Sequence, residues 1–401
     1  MKTAVVTGMG LVTPIGNSLD EFRKALKGGL SGKGPITRFD TDSFLVKQAC
    51  EVKDFKPGWR TSLLDPFIQY GLAAAEQAVK DAQIVIRDID SYRVGIVLGS
   101  SKGGLTTFEK TKKKYGDTLP SALHTAALYA SFPPNIAAQW LAKRYRIHGP
   151  AKCFSTACST GTYSIIEGAR MIEEGEVDYC IAGASDASIT ELMLAGYYNM
   201  KAYSRKETMR PYDKDRDGFL VGEGAGVVLL ESEESAKARG VDSYAKVISS
   251  SFGSDGVSLI NYSKEAHGCS ELLSKITDKA NIKSSDIDYI NTHGTSTVEG
   301  DEYEVSELKH WLNSKADTIP MSSTKSMTGH LLGASGAVEF IASCLAIKEG
   351  WIHPTIQLEN VDKNFDLDFV PHKMREKQVN LALSFSLAFG GHMAGILIGK
   401  S

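Results

Sequence analysis

No apolar run in this chain reaches the roughly 18 residues that a membrane-spanning helix needs. Charge of one sign is lacking too: Lys+Arg 45 against Asp+Glu 48 gives a formal net charge of −3, which leaves no footprint for nucleic acid. Cysteine is scarce, with six residues at positions 50, 153, 158, 180, 269 and 344. Their spacing makes neither a disulfide framework nor a CxxC metal site, so reduced thiols and a cytoplasmic home are expected. The opening MKTAVVTGMGLVTPIG has too short an apolar stretch for a signal peptide and reads as a strand followed by a Gly-rich turn. Gly8 and Gly10 lack the later Gly and the ribose-binding acid of a dinucleotide site. Asp213, Asp215, Asp217 and Gly218 open like a calcium loop, but the position where the bidentate Glu belongs is Gly224, so a polar turn is expected. The remaining composition, 42% hydrophobic and 23% charged over 401 residues, is that of a soluble globular protein with two core-forming units.

The chemistry gathers around AKCFSTACSTGTYSIIEGARMIEEG, Ala151 to Gly175. A short apolar strand leads into the small-residue turn STACSTG. A helix follows, with Ile165, Ile166, Ala169 and Ile172 at helical spacing and Gly175 as its stop. Cys158 therefore sits at a helix mouth, where unpaired N–H groups and the macrodipole favour a thiolate. Ala157, Ser159 and Gly161 are expected to leave room for another molecule to approach the sulfur. A lone buried Cys is usually a packing residue; its partners decide otherwise here.

Those partners come from an internal echo. STACSTG at 155–161 returns as STKSMTG at 323–329, and the helices that follow end in IEEG and IKEG. RVGIVLGSS (93–101) and DYINTHGTS (288–296) are both strand-then-Gly turns. One βα-rich unit is duplicated, so equivalent turns should converge where the halves meet, a usual place for a pocket. The expected division is at Gly240: residues 1–240 carry the nucleophilic Cys, and 241–401 carry two His.

In the second half NTHGTST presents His293, STKSMTGHLLGASGAVEF presents Lys325 and His330 around a helix start, and SFSLAFGGHM ends in Phe389 and two glycines. One Cys and two His are metal-ligand types, but their spacing is not that of a structural zinc site and no further protein ligand stands out. A protease-like pair would take one His as base to Cys158 but leaves the second His and Lys325 without a role. Acyl transfer onto Cys158 followed by carbanion attack uses all of them. Two imidazole N–H donors would hold a thioester oxygen as it becomes an enolate, and the backbone N–H groups of Cys158 and Phe389 would form a second oxyanion site.

TACSTG, THGTST, STKSMTGHLLGASGAVE and AFGG, in this order, resemble the motifs of the β-ketoacyl-acyl-carrier-protein synthases, closest to the elongating type II group. The similarity runs nearly end to end, through GMGLVTPIG, FIQYG, RPYDKDRDGF and DLDFVPH. The resemblance implies an α/β, thiolase-like fold: duplicated βαβαβαββ halves in a five-layered αβαβα sandwich, usually dimeric. It implies that Cys158 takes an acyl chain from the phosphopantetheine of an acyl carrier protein. His293 and His330 would then bind the malonyl thioester carbonyl and promote loss of CO2, and the enolate would attack the acyl group to give a 3-oxoacyl thioester. Lys325 and Glu339 match supporting residues, with Lys325 expected near His330, keeping that imidazole neutral and donating through Nε2. Thr295 and Thr297 match pantetheine contacts, and Phe389 with Gly390 matches the oxyanion and gating loop. No metal or bound redox cofactor is implied.

Where the family's turn at the bottom of the acyl tunnel reads GSGIGG, this chain has GSSKGG, with Lys102 in the apolar place. An unpaired ammonium beside a saturated chain is unfavourable. Either the tunnel is short, or the substrate end is polar or anionic, or Lys102 pairs with a partner subunit. The family's GFGGTN is AFGGHM here, which makes Met393 a filler of an apolar gap and His392 a structural residue or an extra donor. Arg60, Arg205, Lys206 and the KTKKK run at 110–114 remain for docking an acidic carrier. Fatty acid and polyketide or polyene elongation stay open, as do a homodimer and a heterodimer with a chain-length-factor-like subunit.

Overall fold

The computed structural model describes residues 2–58, 61–116, 118, 122–260, 267–312 and 319–401, with backbone only at 122–124. Ten strands build the central sheet of the described residues. Before Gly240 come β1 (Ala4–Val12), β2 (Val94–Gly99), β3 (Ala151–Lys152), β4 (Tyr179–Asp186) and β5 (Gly224–Ser232). After it come β6 (Ala245–Ser254), β7 (Tyr289–Asn291), β8 (Met321–Ser322), β9 (Leu381–Leu387) and β10 (His392–Gly399). The order across the sheet is β8-β7-β9-β10-β6-β1-β5-β4-β2-β3. Read outward from the middle, each run repeats one arrangement. The first strand pairs antiparallel with the fifth, the fifth antiparallel with the fourth, and the fourth, second and third run parallel. Val5↔Lys246 and Val6↔Ala245 join the two runs, also antiparallel.

The main helices of the other layers are α1 (Pro66–Asp81), α2 (Thr160–Glu173), α3 (Gly268–Ala280), α4 (Val298–Leu312) and α5 (Ser335–Glu349). α1 covers the outer face of the first run, packing Phe67, Ala74 and Ala78 with Ile96, Leu98 and Leu229. α3 and α4 cover the outer face of the second, with Leu273, Ile276 and Leu308 against Ile290, Leu383 and Leu397. Between the runs α2 and α5 share one core with strands of both. The result is the αβαβα sandwich. Strands β1 and β5, buried along their whole length, accordingly show no polar alternation. Gly8 and Gly10 have a packing role: a Cβ on either would run into the α1 carbonyls of Ala78 and Ala74.

The acids of the calcium-like turn hold backbone. Asp217 accepts the Arg205 and Lys206 N–H groups, each at 3.0 Å, and Asp213 those of Glu359 (2.9 Å) and Asn360 (2.7 Å). No helix among the described residues is long and apolar enough to cross a membrane.

Candidate active site

Cys158 lies in a single 3-10 turn, Ala157–Ser159, that feeds straight into α2. Ala157 has φ +48°, a strained left-handed conformation that turns the chain sharply just ahead of the sulfur. Hydroxyls pin the turn: Ser159 Oγ donates to the Thr156 carbonyl (2.8 Å), Thr160 Oγ1 donates to the Ala157 carbonyl (2.7 Å), and the Thr156 N–H donates to Thr160 Oγ1 (2.9 Å). Gly161 does not open the approach to the sulfur, contrary to the sequence expectation. A Cβ there would stand 2.6 Å from the Ala337 nitrogen, so its smallness lets α2 meet α5.

Burial acts against the thiolate that the helix mouth favours. Cys158 is buried, and burial pushes its thiol up to about 11, against the pull of Lys102, Lys325 and the Phe389 N–H directed at the sulfur.

Both histidines reach the sulfur's surroundings from the other run, on turns that end β7 and follow β8. His330 Nε2 is 3.1 Å from Cys158 Sγ, and the two imidazoles stand edge to face with centroids 5.7 Å apart. Burial, then the charge of Lys325, holds each well below the usual imidazole range, so both rings are neutral. Their hydrogen-bond partners then fix the tautomers. The Leu332 N–H donates to His330 Nδ1 at 3.2 Å, where Ser335 Oγ also lies at 3.0 Å. Lys325 Nζ donates to His293 Nδ1 at 3.3 Å. Each Nδ1 is therefore an acceptor, and each Nε2 carries the proton.

Lys325, with no exposed surface, donates as well to the His293 carbonyl (2.6 Å) and to Glu339 Oε1 (2.5 Å). Its direct hydrogen-bond partner is His293, because the turn 323–328 runs beside the THGTST loop, and its charge also helps hold His330 neutral, as the sequence suggested. Glu339, 1% exposed, is the counter-ion that makes the buried ammonium tolerable.

Two cavities flank the sulfur and share Cys158, Met200, Ile260 and Phe389 in their walls. One, of ≈ 270 Å³, contains His293, His330, Thr295 and Thr297; the two Thr hydroxyls are 2.9 Å apart. The other, of ≈ 240 Å³, contains Lys102 with Met193, Tyr197, Leu259 and Leu332. Phe389 stands between them. Gly390 and Gly391 behind it have φ +84° and +75°, which only glycine adopts freely. The Gly390 N–H is occupied by the Leu259 carbonyl at 2.9 Å and so is not free to face an oxyanion. His392 lines neither cavity and packs edge-on to Tyr163, whereas Met393 is buried in the core of the second run.

Arg205 and Lys206 flank Asp217 at the rim of the histidine cavity. Arg60 lies outside the described residues. The KTKKK run belongs to a helix, Leu105–Tyr115, where Lys113 pairs with Glu191 at 2.5 Å.

Sequence reasoning passed over three buried carboxylates. Glu304 accepts the N–H groups of His293 (2.6 Å) and Gly294 (2.7 Å), although burial pushes it up to about 8. Asp301 accepts the Ser296 N–H at 3.0 Å. Asp186 accepts the Ser100 hydroxyl (2.9 Å) and the Gly333 N–H (2.7 Å), tying the turn after His330 to the Cys158 half. The one available signal was the pair Asp301 and Glu304, three apart on the helix after THGTST.

Known proteins share this architecture. The family description "Beta-ketoacyl synthase, N-terminal domain" matches residues 1–236, and "Beta-ketoacyl synthase, C-terminal domain" matches 244–359. The chain is 38% identical over 409 residues to the 3-oxoacyl-acyl-carrier-protein synthase 2 of Staphylococcus aureus (strain N315), covering 100% of this chain and 98% of that one. Among solved structures, the ishigamide ketosynthase/chain length factor superposes with TM-score 0.93 at 32% identity, covering 100% and 99% of the two chains. A type II PKS acyl-carrier protein in complex with its ketosynthase bound to the hexaketide gives TM-score 0.92 at 28% identity, with the same coverage.

Proposed function

The chain belongs to the β-ketoacyl synthase family, and from that premise we propose that it extends acyl chains by decarboxylative Claisen condensation with a malonyl-acyl carrier protein. Cys158 exchanges its thiol for the pantetheine thiol of an acyl carrier. An acyl–S–Cys158 bond forms, and the carrier leaves with the proton. In the histidine cavity the malonyl carboxylate departs as CO2, and its electron pair becomes an enolate whose oxygen lies between the Nε2–H groups of His293 and His330. The enolate carbon attacks the acyl carbonyl, the C–S bond to Cys158 breaks, and the leaving sulfur takes up a proton from water. The products are a 3-oxoacyl carrier, CO2 and free Cys158.

One observation carries this reading: both imidazoles accept at Nδ1, so both Nε2–H groups donate toward one chamber. A Cys–His protease pair needs a bare Nε2 to take the thiol proton, and the Leu332 N–H works against that tautomer. Thr295 and Thr297 on the chamber wall serve as pantetheine contacts, Phe389 as the gate, and Lys325 with Glu339 as the support of His293. The division at Gly240 separates the Cys half from the His half, supported by the repeated strand order. The substrates arrive on carrier phosphopantetheine with no bound cofactor, in the cytoplasm, the acidic carrier docking on Arg205, Lys206 and Arg60.

A second reading pairs this chain with a chain-length-factor-like subunit. It is favoured by the likeness to the ishigamide ketosynthase/chain length factor and by exposed Leu192 and Met200 beside the Lys102 cavity. Co-purification and native mass separate homodimer from heterodimer. The chemistry is tested with Cys158→Ala, which should abolish extension, and Cys158→Gln, which should keep malonyl decarboxylation. Extension by the Ala variant, or no decarboxylation by the Gln variant, would overturn the reading.

A further inference from the structure

The second cavity has a chemistry of its own. Its walls are Met193, Tyr197, Met200, Leu259, Ile260, Leu332 and Phe389, with the Cys158 sulfur on one side. Its charged wall residue is Lys102, half-buried. Among the described residues no carboxylate forms an ion pair with it. Asp186, the buried acid whose carboxyl feels the charge of Lys102, already accepts the Ser100 hydroxyl and the Ser101 and Gly333 N–H groups. Water solvates the ammonium while the cavity is open. An acyl chain on Cys158 displaces that water, and a hydrocarbon would leave the charge facing methylenes.

We propose that the acyl group seated in this cavity carries a carboxylate at its far end, which Lys102 binds as its counter-ion. This rests on the ketosynthase reading and names its acyl substrate class. The apolar wall accommodates the methylenes between thioester and carboxylate, and at ≈ 240 Å³ the cavity exceeds the roughly 150 Å³ that accepts a benzene ring. The two chambers are thereby matched to different ends of the chemistry: neutral donors for the malonyl thioester, a cation for the acyl terminus. Of the three accounts that the sequence leaves open for Lys102, this one needs no second subunit and no shortened tunnel.

The experiment offers the full-length protein carriers loaded with succinyl, adipoyl and suberoyl groups against butyryl, hexanoyl and octanoyl, and reads the rate of mass gain at Cys158. The wild type should load its best carboxylated chain roughly ten- to a hundredfold faster than the saturated chain of equal length, the scale of one charge-assisted hydrogen bond. Lys102→Met should reverse that preference and Lys102→Arg should keep it; Lys102→Gln, should the Met variant fail to fold, should lose it. Equal or better loading of saturated chains, a preference that survives loss of the cation, or no loading by either series would each overturn the proposal. Failure of the ketosynthase reading is separate, because it would appear as lost malonyl decarboxylation in Cys158→Gln.

Discussion

The two chambers that meet at Cys158 are built on opposite principles. In the histidine chamber each polar side chain has its back to a partner: Leu332 N–H behind His330, Lys325 behind His293, Glu339 behind Lys325, Glu304 behind the His293 backbone. Every contact that fixes a proton is buried and comes from main chain or a fully paired ion. In the Lys102 chamber the walls are adaptable apolar side chains, several of them exposed, and the one cation lacks a counter-ion among the described residues. The difference separates tasks. Stabilising an enolate demands donors fixed before the substrate arrives, whereas choosing an acyl chain demands surface that can differ from one protein to the next.

The sharpest way to break that contrast is to remove one member of the buried pair. Lys325→Met leaves the Glu339 carboxylate without its counter-ion, and we expect a loss of about 3–5 kcal/mol in stability, measured by denaturant unfolding. The double variant Lys325→Met, Glu339→Leu should recover most of that stability without recovering malonyl decarboxylation, because His293 Nδ1 still lacks its donor. Full activity in the double variant would show that the pair only fills space.

Next in size is the removal of one donor. His293→Ala or His330→Ala, each in the Cys158→Gln background, should slow malonyl decarboxylation by about 10²–10³, the cost of one oxyanion-hole donor. In the native-Cys158 background the same substitutions should alter acyl loading far less. Equal damage to loading would mean that the histidines serve the sulfur and not the enolate.

Legibility in the sequence follows the same line. Cys158, His293 and His330 were legible because residue type and turn position announce them within a few residues, and the fold because two echoing segments implied a duplication that the strand order repeats. What escaped depends on distant contacts. Asp186 binds Ser101, 85 positions away, and Gly333, 147 away, and no local pattern encodes such pairings. Gly161 was misread for a related reason: its neighbour is Ala337 of the other half, not a ligand. Helix-mouth electrostatics pointed to a thiolate because burial, which raises the thiol, is a tertiary property.

That burial yields a smaller effect. Alkylation of Cys158 by iodoacetamide should climb about tenfold per pH unit from neutrality and flatten only near its raised value of about 11. Lys102→Met, which removes a nearby positive charge, should slow it at every pH below that point. A plateau near pH 7 would mean a standing thiolate and would restore the helix-mouth expectation.

A further test approaches the histidine chamber from behind. Glu304 holds its proton up to about 8, against an ordinary value of 4.5. Between those values the folded chain keeps a proton that the unfolded chain releases, so this group's stabilisation is complete below 4.5 and disappears as pH rises through 8. Glu304→Gln cannot ionise, so its Tm should fall less steeply than the wild type's across that window. Parallel Tm curves would mean that Glu304 is already ionised, held so by the His293 and Gly294 N–H groups. The buried loop would then carry an anion behind His293, and the donor strength of that imidazole would be set from two sides instead of by Lys325 alone.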